Sequence, residues 1–188
     1  KRKKDSKKFS FPLNCPSCGS KTIKEYNSST KKHDAVRRCT SEGFKCEKIS
    51  IEKIKHFVSK DALNIDGFGK KIVQNFWEIG LIKLPYDIFS LDFKRISKLD
   101  GWGSLSVDNL KKSIQNSKKI SLDKFIFSLG IRHIGQENAK LLSEFLKNKE
   151  NFFQLKNQIY IDELKNIDGI GDTQINSLKM FFNEKVNL

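Results

Sequence analysis

Beyond Cys46 the chain has no cysteine, and its 188 residues hold only three prolines and three histidines. No apolar run approaches the ~18 residues needed to span a membrane, which excludes a transmembrane helix. The histidines (His33, His56, His133) are scattered, and no Ser/His/Asp or Cys/His arrangement suggests hydrolysis. A cysteine-free stretch of this length cannot be a disulfide scaffold, so the larger part must fold around an apolar core. The composition is that of a soluble globular protein with room for one or two domains. A chain that opens on Lys1 rather than methionine is expected to begin inside a longer polypeptide, so a missing signal peptide carries no information.

Negative charge is also in short supply. The net charge is +14, and it is uneven: residues 1–60 carry 17 Lys/Arg against 6 Asp/Glu, residues 61–188 carry 19 against 16. Such an excess suits a polyanion, because each neutralised phosphate releases condensed counterions. A solvated lysine-rich surface would give the same count. A membrane surface is less apt, since the basic segment has no matching apolar face. The nearly neutral remainder must hold its partner by something other than net charge.

Four cysteines, Cys15, Cys18, Cys39 and Cys46, stand as Cys-x2-Cys and Cys-x6-Cys separated by twenty residues. A Cys-x-x-Cys turn aims two thiolates at one point, and a second returning pair completes a tetrahedral Zn²⁺ site. Gly19 is placed to relieve the tight turn. Two disulfides would require an oxidising compartment. A redox pair would require a thioredoxin-like sheet around Cys15. His33 could replace one ligand, but four thiolates already fill the shell, so the metal reads as structural. Segment 12–48 is too small for a core of its own, and its folding should depend on the metal.

From Ser50 onward a short signal recurs: Ile65-Asp66-Gly67-Phe68-Gly69, Leu99-Asp100-Gly101-Trp102-Gly103, Ile131-Arg132-His133-Ile134-Gly135 and Ile167-Asp168-Gly169-Ile170-Gly171. The last glycines lie 34, 32 and 36 residues apart, the mark of repeated supersecondary units. Helical periodicity flanks each turn: Ile72, Val73, Phe76 and Trp77 after the first, and Val107, Leu110 and Ile114 after the second. Leu122, Phe125, Ile126 and Leu129 lead into the third, Leu141, Leu142, Phe145 and Leu146 follow it, and Ile175, Leu178 and Phe182 follow the fourth. The fold class is mainly α, a small four-cysteine module followed by an all-α tandem-hairpin domain. A plain helical solenoid has a similar period but does not call for apolar-x-Gly-apolar-Gly at every repeat.

Two glycines two residues apart permit positive φ and leave no Cβ between backbone and ligand. Consecutive amides can then converge on one oxyanion, beside the N-terminus of the next helix. The candidate phosphate-binding residues are Gly67, Gly69, Lys70, Gly101, Gly103, Arg132, Gly135, Gly169 and Gly171. The first and fourth turns match the pattern best. The third departs, with His133 in place of the first glycine, where positive φ strains a side chain; Arg132 and Lys140 offer that turn another means of binding.

The repeated turn resembles the helix-hairpin-helix motif of DNA repair proteins, which implies non-sequence-specific contact with duplex phosphates. The order of parts resembles the NAD-dependent DNA ligases of bacteria. Phe11-Pro12-Leu13-Asn14-Cys15-Pro16-Ser17-Cys18-Gly19-Ser20 is similar to the opening of their zinc finger, and residues 54–63 to the helix entering their first hairpin. Leu129-Gly130-Ile131-Arg132-His133-Ile134-Gly135 and Met180-Phe181-Phe182 carry the likeness to the end of the chain. The resemblance implies a basic linker over 1–11 leaving an OB-fold, a zinc finger over 12–48 with Cys15, Cys18, Cys39 and Cys46 as ligands, and four hairpins over 49–188. It implies a cytoplasmic, monomeric parent enzyme that seals nicked double-stranded DNA in replication and repair. That parent would use NAD and Mg²⁺ bound elsewhere, and would carry a nucleotidyltransferase domain, an OB-fold and a BRCT domain touching this region. The fragment would be inactive alone. A standalone hairpin module or nuclease accessory subunit is the alternative.

Lys98-Leu99-Asp100-Gly101 matches the Lys-x-Asp-Gly signature of the adenylated ligase lysine. It also stands in register with the other hairpins, and the strands and companion carboxylates of a nucleotide site are missing around it. No catalytic residue is assigned.

Overall fold

The computed structural model describes residues 9–27 and 30–184. The chain divides into two compact units, Lys1–Ile49 and Ser50–Leu188. The basic cluster of Lys1, Arg2, Lys3, Lys4, Lys7 and Lys8 lies outside the described residues.

The first unit is built from two short antiparallel ribbons. β1 (Thr22–Ile23) pairs with β4 (Arg38–Cys39), and β2 (Tyr26–Asn27) with β3 (Lys32–His33). Thr22 is its buried polar pivot: its hydroxyl donates to the Pro12 carbonyl at 2.7 Å and accepts from Arg37 Nε at 2.9 Å. Cys46 is the one apolar side chain of the four-cysteine segment to be buried among the described residues. So little apolar burial, at ~25 cal/mol per Å², cannot offset the entropy of ordering such a segment.

The second unit is helical: α1 (Glu47–Phe57, beginning in the first unit), α2 (Lys70–Glu78), α3 (Phe93–Ile96), α4 (Ser104–Ser117), α5 (Leu122–Ser128), α6 (Gln136–Leu146), α7 (Lys149–Gln154), α8 (Gln158–Glu163) and α9 (Asp172–Asn183). Short 3-10 turns cover Pro85–Ser90 and Leu164–Asn166. Helix α1 places Ile51, Ile54 and Phe57 on one face at helical spacing. It stops at Phe57, short of the 54–63 stretch that resembles a helix. The chain there turns back so that Ala62, Leu63 and Ile65 are buried, with the Leu63 amide donating to the Phe57 carbonyl at 3.2 Å.

The apolar faces gather into two cores. One joins Ile51 through Ile114 around the fully buried Phe76, and the other joins Ile126 through Phe182 around the fully buried Phe152. Two successive hairpins feed each core. The buried anchors Phe68, Ile134 and Ile170 enter as their spacing predicts, and Trp102 packs partly buried against Phe76. Phe145 is a correction: its spacing places it on the core face of α6, yet it is 43% exposed. An 11-residue helix backed on one side buries a narrow stripe, and Leu142 and Leu146 already occupy it. His56 bridges the two cores: its Nε2–H donates to the Phe127 carbonyl at 2.7 Å, and its ring meets Phe127 edge-on at 4.7 Å.

Candidate metal centre and nucleic-acid interface

Cys15 and Cys18 lie in a knuckle closed by the Gly19 amide donating to the Cys15 carbonyl at 2.8 Å, and Gly19 has φ +75°. A side chain there would be strained in the left-handed region. The second pair is formed by Cys39, at the end of β4, and Cys46, after a turn in which Gly43 has φ +58°. All four sulfurs lie within 4.8 Å of one another, with Cys15–Cys46 at 4.0 Å and Cys18–Cys39 at 3.5 Å. A disulfide would bring a pair to ~2.05 Å. A tetrahedral shell with bonds of ~2.3 Å has edges of ~3.8 Å, which these separations bracket.

The electrostatics fit the same reading. Hydrogen bonds from the Ser20 hydroxyl and amide lower Cys18 to about 6. At Cys39 the Ser41 amide pulls the same way, but desolvation and the neighbouring Cys18 and Cys15 sulfurs push it up to about 12. Four thiols this close resist carrying several negative charges unless a cation joins them. His33 is no member of the cluster. Its ring stacks edge-on with Tyr26 at 5.2 Å, and its Nδ1 lies 3.3 Å from the Lys24 carbonyl.

The four hairpin turns share one backbone plan. The amide of the apolar anchor donates to the carbonyl three residues back, Phe68 to Ile65, Trp102 to Leu99, Ile134 to Ile131 and Ile170 to Ile167, at 3.0–3.1 Å. The residue before the anchor has positive φ: Gly67 +81°, Gly101 +78°, His133 +59° and Gly169 +89°. That is the third position of a turn that favours glycine. The second glycine of each turn is the helix N-cap, and its φ is negative: −68° at Gly69, −82° at Gly103, −80° at Gly135 and −103° at Gly171. Of the two glycine positions that permit positive φ, only the first adopts it.

Why the second position is glycine then needs another cause. A Cβ built at Gly69, Gly103 or Gly135 would meet nothing within 4 Å, so neither handedness nor packing demands glycine there. Elsewhere the chain caps helices with side chains: Asp92 accepts from the Lys94 and Arg95 amides, and Asn148 from the Asn151 amide. Such caps exceed alanine by about 1 kcal/mol and glycine by roughly a few tenths. The glycine caps forgo that small gain and leave the first-turn amides open to an acceptor from outside.

The third turn shows how a histidine tolerates its place. The Ser177 hydroxyl on α9 forms a 3.0 Å hydrogen bond with His133 Nδ1 and lies 2.9 Å from the Thr173 carbonyl. Asn138 Nδ2 also donates to the His133 carbonyl at 2.9 Å. Neither partner shows in the sequence as a site residue. Arg132, Lys140 and Lys70 are exposed beside their hairpins. Lys98 and Asp100 are exposed on the second hairpin, which does not resemble a buried nucleotide pocket. Among the described residues no helix is long and apolar enough to cross a membrane.

The pair of hairpins around the second core defines the class: residues 124–188 match the family model described as "Helix-hairpin-helix motif". Relatives extend the likeness to the whole chain. It is 66% identical over 188 residues, all of this chain and 28% of the relative, to a protein named DNA ligase from Pelagibacter ubique (strain HTCC1062). It is 45% identical over 195 residues to one from Ehrlichia canis (strain Jake) and 42% identical over 201 residues to one from Rickettsia bellii (strain RML369-C), again all of this chain and 28% of each relative. The chain thus spans about 28% of the length of the curated relatives it matches. Over its whole length the chain is therefore similar to a part of proteins named DNA ligase, a part in which a four-cysteine cluster precedes the segment that matches the helix-hairpin-helix model.

Proposed function

We propose that this chain is the duplex-gripping part of an NAD-dependent DNA ligase, holding nicked double-stranded DNA without reading its sequence. The observation that carries it is the open space at Gly69, Gly103 and Gly135. The fold does not require those residues to lack a side chain, whereas a phosphate approaching the helix N-terminus does. Gly67 and Gly101 shape their turns through positive φ, and Lys70 and Arg132 add charge beside the first and third. Backbone amides can hold phosphate with little net charge, which suits a helical region that is nearly neutral.

Cys15, Cys18, Cys39 and Cys46 would hold one Zn²⁺, with Cys15–Cys46 and Cys18–Cys39 separations that fit a thiolate tetrahedron. The ion would neutralise the thiolates and stabilise a unit that buries little apolar surface. NAD and Mg²⁺ belong in this proposal to other parts of a monomeric, cytoplasmic parent that seals nicks in replication and repair. The nucleotidyltransferase, OB-fold and BRCT domains would flank this chain.

Gly69→Val and Gly103→Val test the reading by titration of the chain with nicked duplex. About tenfold weaker binding with unchanged helical circular dichroism is expected, from the loss of charge-assisted amide contacts. Unchanged affinity in both variants would refute it.

A further inference from the structure

The four hairpins share a backbone plan, but the fourth differs at its mouth. The Gly171 amide is already used: it donates to Gln174 Oε1 at 3.2 Å, and the Gln174 amide donates back to the Gly171 carbonyl at 3.1 Å. The same Oε1 lies 3.5 Å from where a Cβ on Gly171 would stand, so this N-cap is occupied from within, unlike Gly69, Gly103 and Gly135. Charge points the same way. Asp168 stands in the turn as Asp66 and Asp100 stand in theirs, but only α9 opens directly on an exposed aspartate, Asp172, beside the place a phosphate would take. At the first hairpin the corresponding helix opens on Lys70 and Lys71. A carboxylate at a helix N-terminus satisfies the dipole that would otherwise attract an anion.

The fourth hairpin also has work inside the fold. Gly169 has φ +89°, and a Cβ there would lie 3.0 Å from Leu141 Cδ1 on α6, the helix of the third hairpin. In return α9, the helix of the fourth hairpin, supplies Ser177 to His133 in the third turn. These contacts are reciprocal in register. Leu141 and Ser177 each stand six residues after the N-cap glycine of their helix.

We infer that the fourth hairpin does not bind phosphate: Gln174 closes its mouth, and the hairpin serves as the seat that holds the third in place. Gly169 is then explained within the chain by handedness and by Leu141, while the Gly171 amide is used within the chain by Gln174. The phosphate contacts fall to the first three hairpins. This inference rests on the DNA-binding reading and narrows it, and it removes Gly169 and Gly171 from the candidate phosphate contacts.

Aspartate is the discriminating substitution. It is among the best N-cap residues, so it keeps the helix while placing a carboxylate at the mouth. Gly69→Asp, Gly103→Asp, Gly135→Asp and Gly171→Asp are each compared with the unaltered chain in nicked-duplex titrations, with thermal melts as the control for folding. The first three are expected to weaken binding about tenfold or more, and Gly171→Asp to stay within about twofold. A Gly171→Asp loss equal to that of Gly69→Asp overturns the inference. No loss in any of the four sinks the DNA-binding reading instead. For the seat, Ser177→Ala is expected to weaken binding several-fold while Ser177→Thr, which keeps the hydroxyl, restores it. If Ser177→Ala binds normally, or threonine fails to rescue, the third hairpin does not depend on this support.

Discussion

Each hairpin turn but the third contains two glycines that look alike in sequence and act for different reasons. Gly101 has φ +78° with open space around it, so its constraint is the backbone alone. Gly103 has φ −82° and no packing constraint, so its lack of a side chain serves the surface. Stability and binding should therefore separate. Gly101→Ala is expected to lower unfolding stability by about 1–2 kcal/mol, the cost of a left-handed alanine. Gly103→Asp should be neutral or slightly stabilising in urea denaturation while still impairing DNA binding. Equal stability losses at the two positions would contradict the division. The positive φ of His133 is offset by the hydrogen bond between its Nδ1 and Ser177 and by the Asn138 bond to its carbonyl.

At the scale of elements, the two units rest on different forces. The helical unit has two buried cores, with Phe76 and Phe152 among the fully buried side chains. The cysteine unit has paired strands two residues long, and two-stranded ribbons of that size are not stable alone in water. Chelating the metal is accordingly expected to disorder roughly residues 12–48 and leave the helices folded. Hydrogen exchange would show protection lost in that segment and kept at Phe76 and Phe152. Metal analysis should find one zinc per chain, absent after Cys18→Ser. Helices that melted with the metal would show that the units are not independent.

Across the whole molecule, the charge of +14 is concentrated in the first sixty residues, whereas the candidate amide donors stand in the remainder. In the proposed function, long-range attraction and short-range holding would thus be carried by different parts of the chain. Affinity for nicked duplex should fall as salt rises, since log K follows log salt with a slope of about −0.9 per phosphate neutralised. A chain lacking residues 1–49 should show a shallower slope while remaining sensitive to Gly69→Val. If the slope were unchanged, the basic segment would have no part in binding.

Much of this was legible in the residues themselves, because local chemistry is written locally. Cysteine spacing foretold the four-sulfur cluster, and the recurring apolar-x-Gly-apolar-Gly turn foretold the hairpins and most core faces, since handedness and helical period act over a few residues. Only tertiary structure decided which side chains complete which turn. Ser177 reaches His133 from 44 residues away, and Leu141 lies against Gly169 from 28 residues before it in the chain. Phe145 faces outward because neighbouring side chains had already filled the core. The fourth hairpin has one of the two best-matched motifs, yet its amide is taken by Gln174. A motif records the backbone a turn can adopt; whether its donors stay open depends on what folds against them.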